Sequence, residues 1–310
     1  MSLQSLQHIS LTNTNNMQVT LCNYGARVLS IKVPNKNGKL VETTLNHTND
    51  EDIVSDQAYM GATCGRIANR ISGAKFMCDG AWVKLEANEN NNLLHGGIDS
   101  FSHRYWDIQQ NTGNSVTFVL ESPHGDQGFP GKMTVSVNYT LNDDNALLIE
   151  YDAQCDALCP INLCNHTYFT MGESDIKSLE LQVNATKYIP VNEESIPLGT
   201  ISPVSPALDF RKPQTIRDKL KLRDFDDCYV VDSEQCVVLT SHVNQLALHI
   251  ESNQLGMQVY TGNALSKKYA AIALEAQGLI DAVNHGALST DWVSPDAPYS
   301  KFVKYQFLSL

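Results

Sequence analysis

The chain has 310 residues and a formal net charge of −12 at pH 7. Its nearest approach to a basic run is the acid-flanked "KLKLR" at 219–223, which excludes a nucleic-acid backbone as partner, because that needs a basic stripe. A composition of 42% hydrophobic and 18% charged residues is that of a folded globular chain, and no window of about 18 apolar residues is present to span a membrane.

In chain order, the opening stretch "MSLQSLQHISLTNTNN" has neither a basic start nor an apolar core, so no secretory leader is expected. "MQVTLC", Met17–Cys22, is the first strand signal. "GRIANRI", Gly65–Ile71, sets Arg66 and Arg70 four apart among apolar side chains. That placement is costly unless each guanidinium fork is satisfied. Structural ion pairs and a ligand site explain it equally well. "NLLHGG", Asn92–Gly97, follows His95 with two glycines, which permit a tight turn or close approach of a ligand to the backbone.

Apolar and polar residues then alternate with period two. "VTFVLES" (116–122) is one such strand, and "MTVSVNYTL" (133–141) puts Met133, Val135, Val137, Tyr139 and Leu141 on one face. "NDDN" reads as a turn and "ALLIEYDA" as the returning strand. "LELQVN" (179–184) and "LALHIE" (246–251) continue the pattern. Helical periodicity is scarce; "PQTIRDKLK" (213–221) predicts one short helix with Pro213 near its start. No βαβ rhythm, GxGxxG or Walker loop occurs, which excludes a doubly wound parallel sheet and the usual phosphate cradles. The expected fold is all-β, a large antiparallel sandwich forming a single domain over residues 1–310.

The eight cysteines include no CxxC pair, and Cys155-x3-Cys159-x4-Cys164 has no histidine at zinc spacing. Reduced thiols in strands and turns, without structural metal, are expected, and with the missing leader they point to the cytoplasm.

Two apolar runs carry unexpected polar groups. "INLCNHTYF", Ile161–Phe169, has the content of a buried strand yet holds Asn165 and His166 at its centre. Unpartnered polar groups there cost about 1–3 kcal/mol each, so these residues either hydrogen-bond inside a core or face a polar cavity. "LEAQ", Leu274–Gln277, embeds Glu275 between "YAAIA" and "GLIDAVNH". Such a Glu is a buried partner of an Arg, or a base with a raised pKa. A histidine and a glutamate facing each other across a neutral polar ligand suit a reaction that takes a proton from one oxygen and gives one to another.

Together, "GATCGRIANRISGAKF", "NLLHGG", "INLCNHTYF", "VYTGN" and "LEAQGLIDAVNH" occur in the order found in the aldose 1-epimerases, or galactose mutarotases, and from about residue 20 to its end the chain resembles that family. The resemblance implies the galactose mutarotase-like β-supersandwich and an enzyme with no metal or organic cofactor. It implies a free hexose such as galactose or glucose as the small-molecule partner, its anomers interconverted by ring opening. The family's acid matches His166 and its base Glu275. Its sugar-binding positions match Asn69, Arg70, His95, Asp226 and Gln258. Asp227 stands where the family often has His, and a slip of one residue would exchange the two acids. The segment between Asn263 and Leu274 is short for the family.

Two other functions compete. A hexose-6-phosphate 1-epimerase would need a phosphate-binding cation, for which Arg66 or Arg104 could serve; a non-catalytic sugar-binding protein would leave His166 and Glu275 unexplained. Trp82, Trp106 and Trp292 offer faces for a sugar, although core or rim packing is the commoner use. "PHGDQGFPG", 123–131 with His124, reads as a long turn at a cleft mouth.

Overall fold

The fold is taken from a computed structural model, which describes residues 5–310. The first four residues of the stretch read for a leader lie outside the described residues.

Alternation decides the strands. Met133–Leu141 buries its odd-numbered apolar residues and turns Thr134, Ser136, Asn138 and Thr140 outward or partly so. It folds back antiparallel on Ala146–Cys155, with Leu141 opposite Leu147. These two strands lie inside a nine-stranded sheet whose spatial order is 107–111, 115–122, 133–141, 146–155, 299–309, 246–252, 235–241, 180–183 and 214–215. A four-stranded meander over 8–42 and a six-stranded sheet complete the principal layers. One cluster of buried apolar side chains runs through them from Ile9 to Phe307. The antiparallel all-β expectation therefore holds. Among the described residues no helix is long and apolar enough to cross a membrane.

The expected helix is shorter than its signal. It occupies only Ile216–Leu220, because Gln214 and Thr215 are drawn into edge pairing with Leu181 and Glu180. Nor is "INLCNHTYF" one strand. Cys164–Asn165 pairs with Thr63–Cys64, whereas Tyr168–Phe169 pairs with Ile272–Ala273 of the six-stranded sheet. The chain changes partner between them, and His166 sits in the gap.

Arg66 is 2% exposed and makes no ion pair among the described residues. Its fork donates to the carbonyls of Pro130 at 2.8 Å, Ser122 at 2.9 Å, and Pro123 and Gly131 at 3.0 Å. It is a staple for the loop 123–131, not a ligand group. That loop holds Asp126 against Arg104 and does not line the cleft described below. Replacing Arg66 by Met leaves several buried carbonyls without donors. We expect Arg66→Met to lose at least about 3 kcal/mol of unfolding free energy in urea titration.

Candidate active site

The six-stranded sheet runs in the order 168–169, 272–277, 256–260, 226–230, 187–189 and 202–203. In it Gln258 lies opposite Glu275, Cys228 opposite Gln258, Asp226 opposite Tyr260, and Tyr168 opposite Ala273. Side chains alternate across a pleated sheet and line up between neighbouring strands. Asp226, Gln258, Tyr260, Glu275 and Tyr168 therefore share one face. That face is the floor of a cleft of about 320 Å³, near the lower end of the range for small-molecule sites.

Every residue carried over by resemblance lines this cleft: Asn69, Arg70, His95, His166, Asp226, Gln258 and Glu275. Nε2 of His166 faces Oε1 of Glu275 at 3.4 Å, with both side chains almost wholly buried. Glu275 has no arginine partner within ion-pair distance; its other oxygen accepts from the Cys164 thiol at 3.3 Å. Burial pushes the Glu275 carboxyl above its ordinary range, opposed by the neighbouring His166 charge and the Cys164 hydrogen bond. Among the described residues, the Asn165 side chain makes no hydrogen bond to the His166 ring. Its amide donates to Gly61 O at 2.8 Å and its oxygen accepts from Thr167 at 2.5 Å. Gly61 in turn donates to the His166 carbonyl at 2.9 Å, so Asn165 ties down the backbone that carries the histidine.

The opposite wall comes from two short paired segments, Arg70–Ile71 and Leu93–Leu94. Asn69 and His95 flank them in left-handed conformation, with φ of 62° and 48°. The Asn69 backbone N–H donates to Nδ1 of His95 at 3.2 Å. Burial drives His95 well below the ordinary histidine range, so it is neutral at pH 7. With Nδ1 accepting, Nε2 carries the proton as a donor. The two glycines after His95 serve packing and not a ligand: a Cβ on Gly96 would lie 1.9 Å from Gly65 O.

Arg70 is forked onto Glu89 at 2.6 and 3.0 Å. It is the sole Lys or Arg lining the cleft. Arg66 is committed to carbonyls, and Arg104 is clamped by Asp126 and Asp99 at 2.6 and 2.9 Å. Among the described residues, no unpaired Lys or Arg is left in the cleft for a phosphate.

Register separates the two neighbouring aspartates. Asp226 shares the cleft face and accepts from Nε2 of Gln258 at 2.6 Å. Asp227 pairs opposite Val259 on the other face, is 3% exposed, and meets Arg223 at 3.0 Å. The short segment after Asn263 places Ala264 and Leu265 on the cleft wall, with Ala264 N donating to the Tyr260 hydroxyl at 2.8 Å.

Tyr59, Tyr168 and Tyr260 line the cleft without having been singled out as sugar contacts. Tyr168 and Tyr260 were within reach of alternation, one inside the His166 motif and one two residues beyond Gln258. Tyr59 has no local signal; its ring lies 4.6 Å from His95 because the intervening chain folds back. None of the three tryptophans lines the cleft. Trp106 is in the core, Trp292 packs on Phe76, and Trp82 is 58% exposed on a hairpin. His124 accepts from Gly131 N at 3.0 Å within its own loop.

His95, His166 and Glu275 bring donor atoms within 4.8 Å of one another. That spacing would admit a metal ion, but Nδ1 of His95 is already taken by Asn69. The same three groups, one neutral donor, one imidazole and one buried carboxylate, are equipped to move protons between adjacent oxygens of a polar neutral ligand.

Fold and cleft together define an antiparallel β-sandwich with an acid/base cleft for a polar neutral ligand. The aldose 1-epimerase family matches residues 7–306. An aldose 1-epimerase from Haemophilus influenzae is 39% identical over 303 residues, covering 90% of this chain and 88% of the relative. A galactose mutarotase from Rattus norvegicus is 32% identical over 313 residues, covering 94% and 91%. The crystal structure of an aldose epimerase homologue from C. elegans has a TM-score of 0.95 at 26% identity, over 99% of this chain and 100% of that one. The chain belongs to the aldose 1-epimerase family.

Asp227 gives a test that stands apart from activity. Burial pushes its carboxyl up to about 6. A carboxyl raised on folding holds its proton more tightly in the folded state. Its contribution to stability is present below the ordinary carboxylate range and is lost as pH rises toward about 6. Asp227→Asn lacks that loss. Relative to wild type, its unfolding free energy should gain about 2–3 kcal/mol between roughly pH 4 and pH 7.

Proposed function

We propose that this chain, acting as one domain, interconverts the α and β anomers of a free hexose such as galactose or glucose. Membership of the aldose 1-epimerase family establishes the reaction class. The observation that carries the residue-level reading is the buried pair of His166 and Glu275, 3.4 Å apart at the base of a cleft with no unpaired cation.

Glu275 takes the proton from the C1 hydroxyl as the protonated His166 gives its proton to the ring oxygen. The C1–O5 bond breaks and an open-chain aldehyde forms. Rotation about C1–C2 presents the other carbonyl face. The O5 hydroxyl then attacks C1, returns its proton to His166, and Glu275 protonates the carbonyl oxygen. Both residues end as they began. Neutral His95 donates from Nε2 to a sugar oxygen, and Asn69, Arg70, Asp226 and Gln258 hold hydroxyls while C1 turns. Gln258 and Asp226 are already bonded to each other at 2.6 Å, so this part of the site is organised before sugar arrives, which reduces the ordering cost of binding. We place the protein in the cytoplasm, a reading supported by eight buried, unpaired cysteines.

Polarimetry of freshly dissolved α-D-galactose tests the reading. Wild type accelerates the approach to equilibrium. Glu275→Gln and His166→Ala each lose about 10²–10⁴-fold in kcat, and a variant that keeps its rate removes that residue from the mechanism. The acidic limb of kcat/KM lies above the ordinary carboxylate range of about 4.3, because the raised Glu275 must ionise to act. Chelation by EDTA leaves the rate unchanged; a rate lost to EDTA and restored by a divalent ion would make His95, His166 and Glu275 a metal site instead.

A further inference from the structure

We propose that Cys164 is a positioning residue for the general base: its thiol holds one oxygen of the Glu275 carboxylate and leaves the other to the sugar. The inference rests on the reading of Glu275 as base. Oε1 of Glu275 faces His166 at 3.4 Å, while Oε2 accepts from Sγ of Cys164 at 3.3 Å. Among the described residues, the thiol is the one hydrogen-bond donor on Oε2.

The need for such a group follows from the side chain. The last torsion of a glutamate joins sp³ to sp² carbon and has a broad, nearly two-fold profile. A carboxylate held only at Oε1 can rock about that bond. Rocking turns the basic lone pair away from the C1 hydroxyl, and a small misplacement at a reacting atom is costly in rate. Oε2 is turned to the fully buried Cys164, so the thiol, weak as a donor, is the group that fixes the plane.

The thiol is itself held. Cys164 is fully buried in the two-residue pairing with Thr63–Cys64, where Cys64 stands directly opposite it. Behind that, Ser102 approaches Cys64 at 3.5 Å. The row from Ser102 through Cys64 and Cys164 to Glu275 belongs to a layer outside the sheet that carries the base. Neither cysteine lines the cleft, so the Cys164 thiol meets the base without occupying space for the sugar.

Other charges also act on Glu275. His166 and Arg70 favour its ionised form and Asp226 opposes it. Tyr168 and Tyr260 face it from its own sheet, and His95 from across the cleft. The Cys164 hydrogen bond favours the ionised form as well. Loss of the thiol therefore makes the carboxylate both less well aimed and harder to ionise.

The experiment compares wild type, Cys164→Ala, Cys164→Ser and Glu275→Gln by polarimetry over roughly pH 5 to 8, with thermal melts to confirm folding. Cys164→Ala should lower kcat about tenfold, the lower range for a hydrogen bond to a charged group, with KM changed less than about twofold. Its acidic limb in kcat/KM should move to higher pH. Cys164→Ser keeps a donor and should recover most of both effects. Wild-type kcat and an unmoved limb in a folded Cys164→Ala, or a Cys164→Ser as impaired as Cys164→Ala, would overturn the inference. A Glu275→Gln that keeps the wild-type rate overturns the base assignment; an inactive Glu275→Gln beside an unchanged Cys164→Ala overturns the thiol's role alone.

Discussion

A carboxylate taken out of water is the constraint around which this molecule is arranged. Glu275 occupies a strand whose residues are all buried, and an isolated charge there would be prohibitively costly. The structure places an imidazole 3.4 Å from one of its oxygens and a thiol 3.3 Å from the other. The site is therefore only partly compensated. The carboxyl sits above its ordinary range, and a group that holds a proton less reluctantly than a surface carboxylate is better matched to exchange one with a hydroxyl near neutral pH.

The polar groups around it are gathered by two different devices. Asp226, Gln258 and Glu275 come from three adjacent strands and meet because the pleat puts them on one face. No loop has to be ordered to bring them together, so their mutual geometry is set by the sheet. His166 is placed by the opposite device, an interruption. The chain leaves one ladder at Asn165 and joins another at Tyr168, and the histidine projects from the break. Asn165, Gly61 and Thr167 satisfy the backbone and side-chain groups that such a break would otherwise orphan.

Charge placement sets what the cleft can accept. The arginines that could have met a phosphate are engaged: Arg66 on four carbonyls, Arg104 on two aspartates, Arg70 on Glu89. Satisfied forks position walls and present N–H groups without offering a free positive charge. The remaining polar lining is tyrosine hydroxyls, amides, two imidazoles and the carboxylates of Asp226 and Glu275, groups that match hydroxyls better than phosphate. The tight turn after His95 serves the same end, since Gly96 allows the His95 loop to seat against Gly65.

Much of this was legible in the sequence because period-two alternation is a local property. Met133–Leu141 and its returning strand declare their buried faces residue by residue, and motif order along the chain pointed to seven residues that the structure brings to one cleft. Three things were not legible, each for a physical reason. Whether Arg66 was structural depended on carbonyls more than fifty residues away. Whether Asp226 or Asp227 faced the cleft depended on strand register, since one residue of slip inverts every side chain. That Cys164 touches Glu275, and that Tyr59 reaches His95, depended on contacts between separate layers of the fold. The sequence by itself determined which chemical groups were available and which strands would carry them. Only the tertiary structure decided which groups share a face, because cross-strand register and interlayer packing are set by the whole core and not by any one segment.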